Sequence, residues 1–139
     1  LVTYVGLLAL VNGVLNGTIG VDLQTILGYI LYPVAFLMGI PSSELLTAGG
    51  VMGTKIVANE FVAMLDFMPL IPSLTEKTVG IVTAFLISFA NFSSVGIIIG
   101  AVQAINGEKA KEVASFGLKM LLVATMGSVL TATVVGLFL

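Results

Sequence analysis

Several residue types that carry common protein chemistry are missing from this sequence. Its 139 residues include no cysteine, no histidine and no tryptophan. Without cysteine there are no disulfides, thiolate metal sites or cysteine nucleophiles, and without histidine the commonest acid–base side chain is absent. The basic residues are five lysines with no arginine, and the net charge is -2. Because no basic stripe is available to follow a phosphate backbone, we expect no nucleic-acid partner.

Charge of either sign is also scarce. Only 9% of the residues are charged, 58% are hydrophobic, and the mean hydropathy is +1.20. A soluble domain has about 25% charged residues, because a polar shell must surround its core. We therefore expect lipid to cover much of the surface. The predicted fold class is all-α: a polytopic membrane protein with membrane-spanning helices, a re-entrant helical hairpin and a broken helix.

Two apolar segments at the ends of the sequence are long enough to cross a bilayer. Residues 1–21 and 113–139 each hold about the 20 apolar residues that a hydrocarbon core of about 30 Å requires. We predict a membrane helix in each. The sequence starts with leucine and ends inside an apolar run, and we therefore interpret it as a fragment or trimmed piece of a membrane unit.

Two further uncharged segments contain features that interrupt a simple span. Residues 23–41 hold Pro33 at their centre, which predicts a kinked or interfacial helix. Residues 79–105 are long enough for a full span, but a polar stretch from Asn91 to Gly96 falls near their middle. We predict a broken membrane helix whose break lines a cavity. The charged residues 108–112 are predicted to form a solvated loop.

The apolar runs between residues 42 and 70 are too short to cross a bilayer. They are separated by Lys55 and Glu60 and followed by a proline-rich stretch. A re-entrant hairpin over residues 42–70, turning near Lys55 to Glu60, explains this pattern. Gly49, Gly50 and Gly53 would allow close helix packing.

Glu60 is the first candidate for a substrate-binding residue. A carboxylate at membrane depth costs about 2.5 to 3.5 kcal/mol, so such groups face a cavity, a partner or a substrate. It can accept hydrogen bonds from two adjacent hydroxyls, which suits a sugar diol. The structural alternative is an ion pair with Lys55, a pairing that we favour over exposure of the lysine to solvent.

Asn91 and Ser94 form the second candidate cluster. At a spacing of three residues they would share one helix face, and their amide and hydroxyl groups match a neutral polyhydroxylated ligand. The alternative is hydrogen bonding between helices. Phe89 could stack on a planar ligand, although aromatic side chains in apolar spans usually pack against neighbouring helices. The sequence contains no phosphate-binding loop or nucleophile elbow, so we do not expect an enzyme.

Two linked motifs resemble the concentrative nucleoside transporter family. The first is Gly-Thr-Lys-Ile-Val-Ala-Asn-Glu-Phe-Val-Ala at residues 53–63, and the second is Ser-Phe-Ala-Asn-Phe-Ser-Ser-Val-Gly-Ile at residues 88–97. Residues 27–41 and 116–119 are also similar to that family. The resemblance covers essentially the whole sequence and corresponds to the C-terminal third of a family member.

The resemblance implies a sodium- or proton-coupled nucleoside carrier of the bacterial inner membrane, a homotrimer that works by an elevator movement. A nucleoside such as uridine would be the substrate. By motif position, Glu60 would bind the ribose hydroxyls, Asn91 and Ser94 would complete the ribose contacts, and Phe89 would border the pocket. The alternative functions are a membrane pore, a structural subunit, or a carrier of another neutral polar metabolite on the same fold.

The first hairpin of the family, which contacts the base, is absent from these residues. The family's sodium site also lies on that missing half. We therefore assign no metal ligand and no cofactor to this sequence, and we expect the coupling ion, Na⁺ or H⁺, to bind mainly outside it.

Overall fold

A computed structural model describes residues 2–139, without the side chains of residues 2, 4 and 5. Within this part the elements are helical and no strand occurs, which confirms the all-α prediction. Seven α-helices and one 3₁₀ helix follow one another. They are α1 (Val2–Ile19), α2 (Leu23–Leu37), α3 (Leu45–Val57), α4 (Glu60–Phe67), the 3₁₀ helix Met68–Ser73, α5 (Glu76–Leu86), α6 (Phe92–Ile105) and α7 (Gly107–Leu137).

The first predicted span ends in a sharp bend. Leu1 lies outside the described residues, and α1 ends at Ile19, where Gly20 takes a left-handed φ of 72°. The axes of segments Gly6–Ile19 and Leu23–Leu37 differ by 88°, and the two segments together reach the length of a span. Helix α2 begins after Asp22, whose side chain caps it, and continues through Pro33 to Leu37.

Helices α2 and α3 pack with their backbones in close contact. A Cβ atom on Gly49 would lie 2.8 Å from the carbonyl oxygen of Gly28, and one on Gly50 would lie 2.9 Å from that of Gln24. A Cβ atom on Gly53 would overlap the side chain of Leu27. The predicted role of these α3 glycines in close helix packing is therefore confirmed.

Residues 58–59 separate two short helices. Helix α3 ends at Val57 and α4 begins at Glu60. The helix is therefore interrupted within the stretch where the turn is predicted. Asn59 caps α4, because its Oδ1 accepts the N–H of Val62 at 2.9 Å. Helix α4 then continues into the 3₁₀ helix, where Pro69 occupies one of the first positions.

The broken helix is also present, but its break lies earlier than predicted. Helix α5 ends at Leu86 and α6 begins at Phe92, so the break spans residues 87–91 instead of 91–96. Asn91 is the N-cap of α6 and not a residue within a helix. Its side chain competes for backbone hydrogen bonds, which favours a cap over a helix interior.

The last helix begins earlier than predicted. Helix α7 starts at Gly107, and the stretch from Glu108 to Glu112 forms its first turns instead of a loop. Two exposed ion pairs, Lys109–Glu112 and Lys111–Glu108, lie three residues apart on this helix. Such pairs suit a helix surface, which explains why charge alone does not mark a loop here.

Among the described helices, α7 alone is long and apolar enough to cross a membrane by itself, with a mean hydropathy of 2.0 over an 18-residue window. Many of its large apolar side chains are exposed, among them Leu118, Leu122 and Leu130. Exposed apolar surface on this scale marks contact with lipid or with other protein. The buried core lies between α2, α3, α5 and α7, around Met52, Phe85 and neighbouring residues.

Candidate substrate-binding site at two helix breaks

The two helix breaks meet at a direct side-chain contact. Asn91 Nδ2 donates a hydrogen bond of 2.6 Å to Glu60 Oε2, although the residues are 31 positions apart. Glu60 is the first residue of α4 and Asn91 is the cap of α6. The carboxylate therefore lies at the positive end of a helix, where negative charge is stabilised. The structure brings together two of the four predicted site residues by a side-chain bond.

Asn91 is fully buried, and both the nitrogen and the oxygen of its side-chain amide form hydrogen bonds. While Nδ2 donates to Glu60, Oδ1 accepts the backbone N–H of Ser94 at 2.7 Å. The exposed fraction of the Asn91 side chain is 0%. Asn91 thus fixes the carboxylate of Glu60 relative to the first turn of α6, and the orientation of Glu60 depends on the local fold of the second break.

Ser94 and Phe89 are placed differently from each other. Ser94 lies half-buried in the first turn of α6 and joins the cluster through its backbone N–H. Phe89 lies in the break itself and is 72% exposed. It does not pack into the core, so the packing alternative for this side chain does not apply within the described residues. Its ring is free to contact a ligand or another protein segment.

Lys55 does not pair with Glu60, so the favoured ion pair is wrong. Its ammonium is 0% exposed and donates to Ser88 Oγ at 2.9 Å. Ser128 Oγ lies 3.5 Å away, and the ring of Phe85 lies 4.4 Å from Nζ. The described ion pairs are both on the exposed surface of α7. Glu60 is consequently held by a neutral amide, not by a cation.

Two cavities among the described residues lie away from this contact. A polar cavity of about 480 Å³ lies between the α1–α2 bend and α3, lined in part by Asn12, Gln24 and Asp66. An apolar cavity of about 670 Å³ lies beside α7. Neither is lined by Glu60 or Asn91. These two cavities are therefore separate from the contact between Glu60 and Asn91.

Metal-binding chemistry is not concentrated at this site. In the part of the chain that the structure describes, no three acidic side chains cluster closely enough to hold a metal ion. The polar groups at the two breaks are one carboxylate, amides and hydroxyls. Groups of this kind can form hydrogen bonds to a neutral ligand with several hydroxyls.

Sequence reasoning missed three of the residues that organise the site. Asn59 caps the helix that carries Glu60, and Ser88 and Ser128 surround the Lys55 ammonium. An asparagine directly before an apolar helical run is a capping signal that could have identified Asn59. The two serines lie 33 and 73 positions from Lys55. No local pattern links residues at such separations.

Curated relatives of this chain include nucleoside transport proteins. The chain shares 43% identity over 137 residues with the purine nucleoside transport protein NupG of Bacillus subtilis, covering 97% of this chain and 34% of that protein. It shares 39% identity over 150 residues with the nucleoside permease NupC of Helicobacter pylori, covering 100% of this chain and 36% of that protein. The chain thus spans about a third of the length of these relatives.

A solved structure and a family description complete the comparison. The inward-facing, substrate-bound structure of CNTnw superposes with a TM-score of 0.91 at 34% identity, covering 99% of this chain and 34% of that one. The family described as "Na+ dependent nucleoside transporter C-terminus" matches residues 1–136. These relatives are transporters and not enzymes. The chain is a membrane protein, and it belongs to the C-terminal family of the Na⁺-dependent nucleoside transporters.

Proposed function

We propose that this chain supplies the ribose-binding half of the substrate site in a cation-coupled nucleoside carrier. The observation that carries the proposal is the 2.6 Å hydrogen bond between Asn91 and Glu60, which unites two helix breaks around one carboxylate. A carboxylate accepts about four hydrogen bonds, and the bond from Asn91 uses one. Glu60 therefore keeps capacity for the donors of a ligand.

A ribose diol matches the remaining capacity of this cluster. Its two adjacent hydroxyls are donors that one carboxylate can receive together, and hydrogen bonds to a charged acceptor are about twice as strong as neutral ones. Asn91, which is fully buried, would hold the carboxylate in place for the ribose, and Ser94 contributes a hydroxyl to the first turn of α6. The exposed Phe89 ring would border the ligand, where a flat base or sugar face can stack on it.

The other half of the site lies outside these residues in this proposal. The chain covers about a third of its relatives, and Glu60 does not line either of the two cavities described above. Base recognition and the coupling ion, Na⁺ or H⁺, would come from the complementary region of the transporter. Coupling to a cation is supported by the description of the family, which names sodium dependence.

In the membrane, we place the two breaks near the bilayer midplane. Helices α3 and α4 would form a re-entrant hairpin, because 13 and 8 residues are too few to span the hydrocarbon core. Irregular backbone at that depth is tolerated where it lines a cavity. The 88° bend between α1 and α2 suits a boundary between a fixed scaffold and a moving unit, as in an elevator-type homotrimer of the bacterial inner membrane.

Uptake by the reconstituted transporter that contains this chain tests the proposal. Labelled uridine should accumulate in liposomes against its gradient when an inward Na⁺ or H⁺ gradient is applied. Unlabelled nucleosides should compete, whereas free bases should compete weakly because they lack the ribose. Accumulation that is driven by neither cation would contradict coupling.

The same measurement separates the alternative functions. A pore would equilibrate uridine without accumulation, and a structural subunit would not bind it at a fixed stoichiometry. A carrier of another neutral metabolite would not accumulate uridine. Each of these results would replace the proposed function.

A further inference from the structure

A buried lysine whose hydrogen bonds go to hydroxyls, and not to a carboxylate, lies next to the proposed site. Lys55 is on the last turns of α3, three residues before the break at residues 58–59. Its exposed fraction is 0%, and burial of an ammonium is costly unless each donor finds a partner. The proposed ribose contacts do not use this group. The free-energy cost of burying the Lys55 ammonium therefore indicates that this group has another role.

The partners of Lys55 come from two other elements. Ser88 Oγ, at 2.9 Å from Nζ, lies in the break between α5 and α6, and Ser128 Oγ, at 3.5 Å, lies on α7. The two hydroxyls also bond to each other, and Ser128 donates to the carbonyl oxygen of Ala124. The face of Phe85 supplies a cation–π contact on another side. The ammonium thus connects α3, the second break and α7 at one point.

The hydrogen bond between Lys55 and Ser88 links the same two breaks as the contact between Glu60 and Asn91. Lys55 and Glu60 lie on either side of the first break, and Ser88 and Asn91 lie at the two ends of the second. Two hydrogen bonds therefore connect the two breaks, one between Lys55 and Ser88 and one between Glu60 and Asn91. The Lys55 ammonium is buried and also contacts Ser128 on α7. The bond between Glu60 and Asn91 includes the carboxylate that would meet the substrate.

We infer that Lys55 is a positioning residue for nucleoside binding: its ammonium, held by Ser88 and Ser128, sets the distance between the two breaks at which Asn91 reaches Glu60. This inference rests on the proposed function. A neutral side chain of similar length would fill the space but would lose the donors that fix the break to α3. The distance between the Asn91 amide and the Glu60 carboxylate would then no longer be fixed.

Nucleoside binding by the intact transporter tests this role. The variant Lys55→Met keeps the side-chain length without the ammonium, and Lys119→Met, at an exposed lysine of α7, is the matched control. We expect Lys55→Met to raise the Kd for uridine about tenfold or more. Lys119→Met should leave the Kd unchanged. An unchanged Kd in Lys55→Met would overturn the inference.

A double-mutant cycle with Asn91→Ala separates positioning from a general structural role. If Lys55 acts through Asn91, removing the Asn91 amide first should reduce the effect of Lys55→Met to less than about twofold. Effects that simply multiply would show that Lys55 supports the fold independently of the site, and would overturn the inference. If Lys55→Met does not fold, Ser88→Ala removes the 2.9 Å acceptor and is judged by the same two criteria.

The outcomes also distinguish this inference from the proposed function. If the unaltered transporter binds uridine and Glu60→Gln strongly weakens this binding, the proposed function stands whatever Lys55→Met does. If the unaltered transporter binds no nucleoside, the proposed function and the role of Lys55 both fail.

Discussion

Asn91 and Glu60 are joined by a 2.6 Å hydrogen bond across two separate helix breaks. Each residue also belongs to a helix N-terminus, Asn91 as the cap of α6 and Glu60 as the first residue of α4. The contact therefore depends on the capping of both helices. A change at either break is expected to alter the orientation of the carboxylate that we propose as the ribose acceptor.

Replacing Asn91 by alanine should weaken substrate binding. The change removes the amide donor to Glu60 and the acceptor for the Ser94 N–H. Hydrogen bonds to charged groups contribute about 1.5 to 3 kcal/mol, so the apparent substrate constant for uridine should rise about tenfold or more. Initial uptake rates over a range of uridine concentrations measure this constant.

Asn106→Ala is the matched control for loss of a cap. Asn106 Oδ1 accepts the N–H groups of Glu108 and Lys109 at the start of α7, away from the two breaks. Both variants should lose about 1 kcal/mol of helix stability, but Asn106→Ala should keep the substrate constant of the unaltered protein. Equal substrate constants in the two variants would remove Asn91 from the site.

The positions of the two helix breaks can be predicted from the sequence only in part. Charges at Lys55 and Glu60 between short apolar runs indicate the first break, which the structure places between them. The second break was predicted too late, because it runs through Ile87 and Phe89, whose apolar character carries no signal of a break. The contact of Lys55 with Ser128 could not be predicted, since it depends on how three distant helices pack.

Replacing Gly28 by alanine should destabilise the α2–α3 packing. A Cβ atom there would lie 2.6 Å from the carbonyl oxygen of Leu46 and 3.3 Å from the nitrogen of Gly50, and backbone atoms cannot move aside cheaply. Overpacking of this kind costs about 1 to 3 kcal/mol. The midpoint of thermal unfolding in detergent should therefore fall.

Gly127→Ala is the control for this change, because no atom lies within 4 Å of its added Cβ. Alanine is favoured over glycine in helices by about 1 kcal/mol, so this variant should unfold at the same or a higher temperature. A Gly28→Ala protein as stable as Gly127→Ala would contradict the close packing of α2 on α3.

Glu44 should make the stability of the fold depend on pH. Its Oε1 accepts the Thr75 N–H at 3.0 Å and its Oε2 accepts the Thr75 hydroxyl at 2.9 Å, which ties the start of α3 to the cap of α5. Burial raises the pKa of this carboxyl, but the hydrogen bonds from Thr78 and Thr75 outweigh it and hold the pKa below its ordinary value of 4.5. The ionised form therefore stabilises the fold.

Because the folded pKa is lowered, this stabilisation is complete above pH 4.5 and is lost as the pH falls through the folded value. Unfolding midpoints of the unaltered protein and of Glu44→Gln should differ at pH 7 and converge in acid. A difference that stays constant with pH would show that ionisation of Glu44 does not stabilise the fold.

The central claim is that Glu60 accepts the ribose hydroxyls, and it is tested by comparing uridine with 3′-deoxyuridine. The unaltered transporter should favour uridine about tenfold or more, since the deoxy analogue lacks one donor to a charged acceptor. Glu60→Gln should abolish concentrative uptake at normal membrane expression and lose this preference in binding. Glu108→Gln, at a side chain 91% exposed on α7, serves as the control and should retain both. If Glu60→Gln takes up uridine with normal affinity and still discriminates against the deoxy analogue, Glu60 does not bind the ribose.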